Sequence, residues 1–525
     1  MRVRPYLEGA GTALLLVPHY RGILSASKNE LYQHRLPMGS LVGGLLVDML
    51  GVFVLATAFL ILVQRLHRIP QRILNGLFAG LALGRLAQIS SLILGGMIVL
   101  NKPQSMIGPL IHLCDHGALV LLLLSIALGC FLPKISEPLV RVVRLGLLGL
   151  SFSALWIVPQ LLFASLIHEP TDVVNLSRTL SSDQHVANRR ILWILFDELS
   201  YHQLFDHPVA GIELPNFDRL RARSISFGDL QPAGFNTDRV IPSLFLGKRF
   251  ENIRSTTSGQ LLYWDNDEKR WIAYDASATL FGVAQRNGWK TGVDGWFNPY
   301  CRILGSVLNS CHWGPASFPN QYTGASGENS AMKNGALEAG AILDSLTMRG
   351  GIETIDREQR EQEQSDVLAN AQALIDNRQI GFAFFHFYAP HPPGIYDRES
   401  HRMRTGGNYL DNLVLADDTL GLLLKSIEAT PSAGDTTIIV SSDHSWRTPI
   451  WRASNFWSEE EERASQGGHF DTRPVLLIHF PSQTAEQDVN SPLPQLLEHD
   501  IIEGMLRGQI SSPQDLTSFL SQRVR

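Results

Sequence analysis

Three stretches of this chain end in side chains suited to metal-assisted chemistry. Thr436 to Arg447 reads TTIIVSSDHSWR, a β-branched run that finishes in Asp443 and His444. Arg190 to Phe196, RILWILF, runs into Asp197 and Glu198. Gly381 to Tyr388, GFAFFHFY, runs into the turn that holds Pro390, His391, Pro392 and Pro393. Carboxylates mixed with imidazoles suit zinc or manganese better than magnesium or calcium, which favour oxygen ligands alone. A fourth stretch, GFNTDRVIPSLFLGK, puts Asn236 or Thr237 at a predicted helix entrance, with Pro242 near the start of the apolar segment. Backbone N–H groups and the dipole favour an anion at such an entrance. A hydroxyl there is poised to meet a phosphate, and a metal ion would both lower its pKa and offset phosphoryl charge.

Short apolar runs bounded by polar residues predict buried strands, and all three acidic or histidine-bearing ends follow such runs. In open α/β sheets the crevice outside the carboxyl ends of the strands binds ligands, so ends far apart in sequence can meet there. Leu214, Phe217, Leu220 and Ile225 recur at helical spacing within Glu213 to Ser226, with Pro215 at the first turn. A helix end is expected over Leu280 to Asn287, a strand over Trp289 to Val293, and helices over Ala336 to Met348 and Arg357 to Asp376. Asn320 to Asn334, rich in Gly, Ser and Asn, reads as an exposed loop. Strands alternating with helices predict a mainly parallel sheet sandwiched by helices. Each motif alone also has a plainer reading. Asp443-His444 could be a strand-end turn, Asp197-Glu198 an acidic pair at a helix start, and Thr237 a simple cap. His386 reads as a core histidine, and His391, between prolines, as an exposed one. The convergence of several strand ends favours the functional reading.

The chain has 525 residues, which predicts two to four domains. Its net charge is −6 and it has no basic block, which excludes nucleic acid as an expected partner. Long apolar windows crowd the first third: about Leu41 to Val63, Asn75 to Leu100, Met106 to Leu132 and Val143 to Ile167. They predict four transmembrane helices. The run Ala10 to Pro18 is too short to span and is expected at the membrane interface. Asp48 and Arg85 within the windows read as a pair joining helices, with His112, Asp115 and His116 near the interface. Arg65, Arg68 and Arg72 in the first loop, with Lys134, Arg141 and Arg144 in the third, place those loops in the cytoplasm and everything after Ile167 outside it. Arg2, Arg4, Arg21, Lys28 and Arg35 argue the other way. Cys114 and Cys130 read as apolar fillers. Cys301 and Cys311 are either a disulfide, suiting an oxidising compartment, or two thiols. The expected division is a membrane domain over 1–168, a linker over 169–188, a catalytic domain over 189–481, and a linker with a helical cap from Leu493 to Arg507 within 482–525.

Asp197-Glu198 after the first strand, Thr237 with a proline five positions on, the PHPP turn at 390–393 and SDH at 442–444 resemble the alkaline phosphatase superfamily in its sulfatase-domain branch. PNFDRL at 215–220 and GWKTGVDGWFNPYC at 288–301 are similar to further segments of it. The layout is nearest the membrane-anchored subgroup of phosphoethanolamine transferases and lipoteichoic acid synthases, and the resemblance spans Arg190 to Pro481. It implies an alkaline-phosphatase-like α/β fold preceded by a transmembrane bundle. It implies a divalent ion on Asp197, Asp443 and His444, with Glu198 a further candidate ligand. Thr237 becomes the ion-bound nucleophile, His391 binds either the anionic group of a substrate such as a phospholipid or a second ion, and His469 stands where another histidine commonly serves the substrate. The sequence departs from the formylglycine-bearing sulfatases because Thr237 cannot become that aldehyde. It also has Ser445, Trp446 and Arg447 where the family usually has glycine after Asp-His, which bears on substrate class more than on metal binding. The expected function is a phosphotransferase or phosphodiesterase anchored in the cell (inner) membrane with its catalytic domain outside the cytoplasm. The alternatives are a sulfuric ester hydrolase working without formylglycine and an inactive membrane-bound binding protein.

Overall fold

The computed structural model of the chain describes residues 3–18, 38–99, 133–166, 189–315 and 352–523, apart from 257, 258, 405, 455 and 482, together with 175–178, most of 330–336 and a few isolated positions. Its internal contacts define two compact units. One comprises Met1–Ala26, Arg35–Thr171 and Pro319–Ile352, the other Ser27–His34, Asp172–Phe318 and Glu353–Arg525.

The first unit is helical, with α1 (Arg4–Leu16), α2 (Met38–Val63), α3 (Arg68–Val99), α4 (Pro133–Ser151) and α5 (Ala154–Leu166). Glu8 of α1 is fully buried, and its carboxylate accepts from Arg4 one turn earlier at 2.8 Å and from Arg144 of α4 at 2.5 and 2.9 Å. Two guanidiniums make the buried charge tolerable and pin α1 to α4. Gly44 lets Ala331, Asn334 and Gly335 approach α2, since a Cβ there would lie 2.7 Å from the Gly335 nitrogen. The 26-residue α2, with mean hydropathy 2.6, is long and apolar enough to cross a membrane. α4 and α5 pass the same test together, bent by 43° at their break. The expected window Leu41 to Val63 falls within α2, and the described parts of Val143 to Ile167 and of Asn75 to Leu100 fall across bent α4 and α5 and within α3. The window Met106 to Leu132, with His112, Cys114, Asp115, His116 and Cys130, lies outside the described residues apart from position 127.

The second unit is built on nine strands: β1 (Asn175–Ser177), β2 (Arg190–Phe196), β3 (Ile225–Phe227), β4 (Thr291–Phe297), β5 (Ser310–Pro315), β6 (Phe382–Phe387), β7 (Thr436–Ser442), β8 (Leu476–His479) and β9 (Gln487–Val489). Their order is β1-β5-β4-β6-β2-β7-β8-β3-β9. The five strands from β5 to β7 are mutually parallel. β1 is antiparallel to β5, and β8 is antiparallel to both β7 and β3. The expected mainly parallel sheet is therefore parallel at its centre and mixed at its flanks. Between β7 and β8 lie only the short helices Thr448–Trp451 and Glu459–Ala464. At about 1.5 Å per residue neither can carry the chain back along a strand rising about 3.3 Å per residue, so β8 returns antiparallel.

Strand alternation divides the core. Ile191, Trp193 and Leu195 of β2 face one cluster, shared with α7 (Thr237–Leu246), α8 (Leu280–Arg286), α11 (Leu497–Leu506) and α12 (Pro513–Arg523). Leu192, Ile194 and Phe196 face the other, with α6 (Pro215–Arg221), α9 (Ile352–Asp376) and α10 (Tyr409–Glu428). The helix expected over Glu213 to Ser226 stops at Arg221, and Ile225 instead enters β3. The stretch read as a polar linker after Pro481 supplies β9, a largely exposed edge strand with no apolar alternation to betray it. The C-terminal cap begins at Leu497 rather than Leu493 and continues into a second helix, α12, that the sequence reading lacked. The loop at Asn320 and the helix at Ala336 lie mostly outside the described residues. Cys301 and Cys311 form a disulfide between the short helix Tyr300–Leu304 and β5.

At the start of β2, buried Arg190 donates to the carbonyls of Ile380, Ile375 and Leu374 and to Ser432 Oγ. It ties α9, β6 and the turn before β7 to the central strand. Arg190→Leu should cost about 2–4 kcal/mol by leaving these carbonyls buried and unpaired. Thermal unfolding of the detergent-solubilised protein checks this, and an unchanged midpoint would refute it.

Candidate active site

The site begins as a consequence of register. β2 pairs in parallel with β7 so that Phe196 faces Ser442, and with β6 so that Phe196 faces Phe387. The next residues, Asp197, Asp443 and Tyr388, leave the sheet at one level, on strands about 4.8 Å apart. His444 follows Asp443. All of Asp197, Asp443 and His444 are fully buried. α7 completes the group. Asn236 is extended and Thr237 is the helix's first residue, while Gly247, in the left-handed region with φ 70°, closes its far end. Asn236 makes no side-chain cap, so Thr237 is a buried hydroxyl at a helix start rather than a cap.

Thr237 Oγ1 donates to Asp197 Oδ2 at 3.3 Å and lies 3.4 Å from His444 Nε2. His444 Nε2 is 3.1 Å from Asp443 Oδ2 and 3.9 Å from Asp197 Oδ1. Asp443 Oδ1 accepts the backbone N–H groups of His444 at 2.8 Å and Glu198 at 3.2 Å. The other oxygens, Asp197 Oδ1 and Asp443 Oδ2, are buried and bond to no donor. Ligand atoms of Asp197, Asp443 and His444 all fall within 4.8 Å of one another. Burial and neighbouring Glu198 drive the Asp197 carboxyl well above the usual range, and burial with Asp197 beside it pushes Asp443 up to about 8. Burial, then Arg447, holds His444 well below its ordinary pKa, hence neutral. Two crowded carboxylates with unpartnered oxygens and a neutral imidazole are a donor set that a divalent ion fits.

Glu198 takes a different direction from its neighbour. It has φ 62°, a left-handed backbone that is strained for a residue with a Cβ. Its carboxylate accepts from Arg447 Nε at 2.6 Å and from Trp451 Nε1 at 2.7 Å, with Arg447 Nη2 also against it. The expected further metal ligand is thus engaged by a guanidinium and an indole, while ligand atoms of Asp197, Glu198 and His391 also lie within 4.8 Å of one another. His391 is largely buried rather than exposed. Its Nε2 lies 3.8 Å from Glu198 Oε1 and 3.3 Å from Arg447 Nη2, while Asn412 donates to its carbonyl at 2.8 Å. His469 is not brought into this cluster. It is exposed, with its ring 5.6 Å from that of His202.

Some neighbours escaped the sequence reading as site residues. Buried His386 on β6 lies 3.7 Å from Asp197 Oδ2, and its Nδ1 is 2.7 Å from the Tyr300 hydroxyl. Burial lowers its pKa to about 4. Its place one residue before the end of β6 was a usable signal. Asn298 Nδ2 donates to the Thr237 carbonyl at 3.4 Å. Arg447 was visible only as a bulky departure after Asp-His.

A family profile described as Sulfatase matches residues 189–507. The chain belongs to the sulfatase family. This family lies within the alkaline phosphatase superfamily of hydrolases, and its metal dependence agrees with the acidic and histidine cluster described above. No curated protein matches the sequence. Among solved structures, Ps i-CgsB in complex with k-i-k-neocarrahexaose is 15% identical, with 62% of this sulfatase-family chain and 73% of that one covered and a TM-score of 0.41. The phosphonate monoester hydrolase of Agrobacterium radiobacter is 15% identical over 61% and 74% of the two chains, with a TM-score of 0.35. A protein of the alkaline phosphatase superfamily from Vibrio parahaemolyticus is 14% identical over 63% and 69%, with a TM-score of 0.35.

Two outcomes test this geometry. In the metal-free protein, the stability linked to protonated Asp443 is complete below its unfolded pKa and is lost as pH rises through about 8. The melting-temperature gap between metal-loaded and chelated protein should therefore widen between about pH 6 and about pH 8.5. A gap that stays constant would contradict the site. Arg447→Met should destabilise the protein by about 3–5 kcal/mol, because Glu198 loses its buried counter-charge. Adding Glu198→Gln should recover much of that loss in a double-mutant cycle.

Proposed function

We propose that the chain is a membrane-anchored, metal-dependent enzyme that transfers or hydrolyses a phosphoryl-linked group through Thr237. The observation that carries this reading is the Thr237 hydroxyl itself, buried at a helix start between Asp197 and His444. Asp197, Asp443 and His444 would hold a divalent ion, with zinc or manganese favoured because an imidazole joins the two carboxylates. That ion would lower the pKa of the Thr237 hydroxyl and neutralise charge on the attacked group.

Thr237 Oγ1 attacks phosphorus as the bond to the donor alcohol breaks, leaving phospho-threonine. Asp197, which accepts the hydroxyl's hydrogen bond, orients the attacking lone pair. The proton of the Thr237 hydroxyl passes by way of Asp197 to the departing alkoxide, which leaves as the alcohol. Water or an acceptor hydroxyl then attacks phosphorus and carries the group away, and its proton restores the Thr237 hydroxyl as the bond to threonine breaks. Asn298 fixes the backbone of the nucleophile, and His391 and His469 are the proposed contacts for the substrate's anionic part. The alcohol that leaves is proposed to be a lipid, as in a phospholipid headgroup ester, because the chain carries apolar helices. Leu50, Leu55 and Leu62 of α2 and Leu155, Trp156, Phe163 and Leu166 of α5 are exposed, as lipid-facing side chains are. The Cys301–Cys311 disulfide supports a catalytic domain outside the cytoplasm of the cell (inner) membrane.

A second reading, sulfuric ester hydrolysis without formylglycine, is favoured by the family's description. The same attack on sulfur would give a sulfated Thr237. An inactive binding protein is disfavoured by the intact cluster. Intact-mass and peptide analysis after incubation with manganese or zinc and membrane lipid separates these readings. A metal-dependent adduct on the Thr237 peptide is expected, its mass identifying the group. Thr237→Ala should lack the adduct and lose about 10³-fold or more of turnover. An adduct that persists in Thr237→Ala would sink the assignment of the nucleophile.

A further inference from the structure

One side chain from the C-terminal segment reaches both the stretch that carries the metal ligands and the stretch that leads to the nucleophile, and the reading above gives it no role. Gln495 lies beyond 189–481, the span that the sequence assigned to the catalytic domain. Its backbone is fixed from both directions. Leu493–Pro494 pairs in parallel with Leu230–Gln231, the Leu493 N–H donates to the Asp229 carbonyl at 3.0 Å, and the Gln495 N–H donates to the Gln231 carbonyl at 2.8 Å. Two residues later α11 begins, held in the core by Leu497, Ile501 and Ile502. The side chain, 1% exposed, therefore enters the interior from a fixed base.

The Gln495 carboxamide is used entirely on backbone. Its Nε2 donates to the carbonyls of Ser442 and Asp443, both at 2.9 Å, and its Oε1 accepts the Ala233 N–H at 2.8 Å. Two buried carbonyls need donors and one buried N–H needs an acceptor, and a carboxamide offers both from one planar group. The Asp443 carbonyl shares a rigid trans peptide with the His444 N–H, so the two point in opposite directions. That N–H donates to Asp443 Oδ1 at 2.8 Å, while Asp443 Oδ2 has no donor and lies 3.1 Å from His444 Nε2. Gln495 thus holds one edge of the plane whose other edge aims the Asp443 carboxylate. Its third bond holds Ala233, in the segment that leads into α7 and Thr237. Asp197 and Asp443 repel when ionised, so the backbone beneath Asp443 requires a hold that does not depend on the carboxylate itself.

We propose that Gln495 is a positioning residue of the active site. By tying the Asp443–His444 peptide to the segment before Thr237, it sets the metal ligands and the nucleophile at their working distance. This rests on the reading of Asp197, Asp443 and His444 as the holders of a divalent ion. Removing a group that orients metal ligands from behind weakens metal binding by about 10–100-fold. A side chain that only fills the core lowers stability and leaves the affinity of the folded site alone.

The test strips the full chain in detergent with a chelator and titrates it with zinc against a competing chelator. Gln495→Met keeps the length and loses all three hydrogen bonds. Gln495→Glu keeps the acceptor for Ala233 but sets an oxygen against the two carbonyls. Ile502→Ala, which removes a buried apolar side chain from α11, is the control for lost stability. Both Gln495 variants should bind zinc about 10–100-fold more weakly than wild type, and Ile502→Ala as tightly as wild type. Hydrogen exchange of the metal-free proteins gives a readout without the ion: exchange at Ala233 should quicken in Gln495→Met beyond any change in Ile502→Ala. Zinc affinity in Gln495→Met equal to that of Ile502→Ala would overturn the proposal. A wild type that binds no zinc would count against the ion site, and exchange at Ala233 no faster than in the control would overturn the role of Gln495 by itself.

Discussion

The structure depends on two carboxylates that should not be neighbours. Asp197 and Asp443 are both fully buried, side by side at the ends of adjacent parallel strands. Burial makes the ionisation of both harder, Glu198 adds to this at Asp197, and Asp197 adds to it at Asp443. The nearest guanidinium, Arg447, is already spent on Glu198, while Arg360 acts on Asp197 from further off, over the rings of Tyr388 and Trp296. Asp197, Glu198 and Asp443 bring three carboxylates against Arg447 close by and Arg360 further off. A divalent ion would offset the excess of negative charge. A fold that keeps this arrangement carries an instability which the ion relieves, so site formation and metal binding are linked.

Sheet register makes the arrangement possible. An error of one residue between β2 and β7 would turn the alternating side chains of one strand to the wrong face. Both faces of β2 are filled, by Trp193 towards α7 and by Phe196 towards α6, so slippage would disturb two cores at once. The same packing seats α7. Phe245 meets Trp193 and Phe384 edge-on, at 5.7 and 4.9 Å, and this fixes the helix whose first residue is Thr237. The hydroxyl's position is thus set by aromatic packing two turns away as well as by the carboxylate it meets.

Much of this was legible in the sequence for a physical reason. Central strands buried on both faces read as unbroken apolar runs, so RILWILF is β2 without adjustment and TTIIVSS is β7. The residue after each run then had to stand at the sheet's edge. Illegible parts lacked such a pattern. β9 is an exposed edge strand, and α12 is a short polar helix whose few buried positions, Pro513, Leu516 and Leu520, are too sparse to announce it. Opposite fates for Asp197 and Glu198 depend on a left-handed backbone at a glutamate, which residue type argues against. The π turn at His202 depends on a hydrogen-bond shift that no side-chain spacing encodes.

The residues that looked most out of place after Asp-His explain themselves by what they hold. Trp446 stacks on Tyr409 at 4.0 Å with planes 5° apart, and the Tyr409 hydroxyl donates to the Glu198 carbonyl. Arg447 and Trp451 grip the Glu198 carboxylate from the same loop. The chain leaving β7 is therefore fastened twice to the chain leaving β2, once through the stacked rings and once through the ion pair. Bulk at these positions thus converts a flexible turn into a clamp that holds Asp197 and Asp443 together against their repulsion. Because Arg447 also reaches His391 and the Phe235 carbonyl, the same clamp sets the distance between the segment leading into α7 and the PHPP turn. These fastenings bear the strain, and Asp197, Asp443 and His444 stay where the strands deliver them.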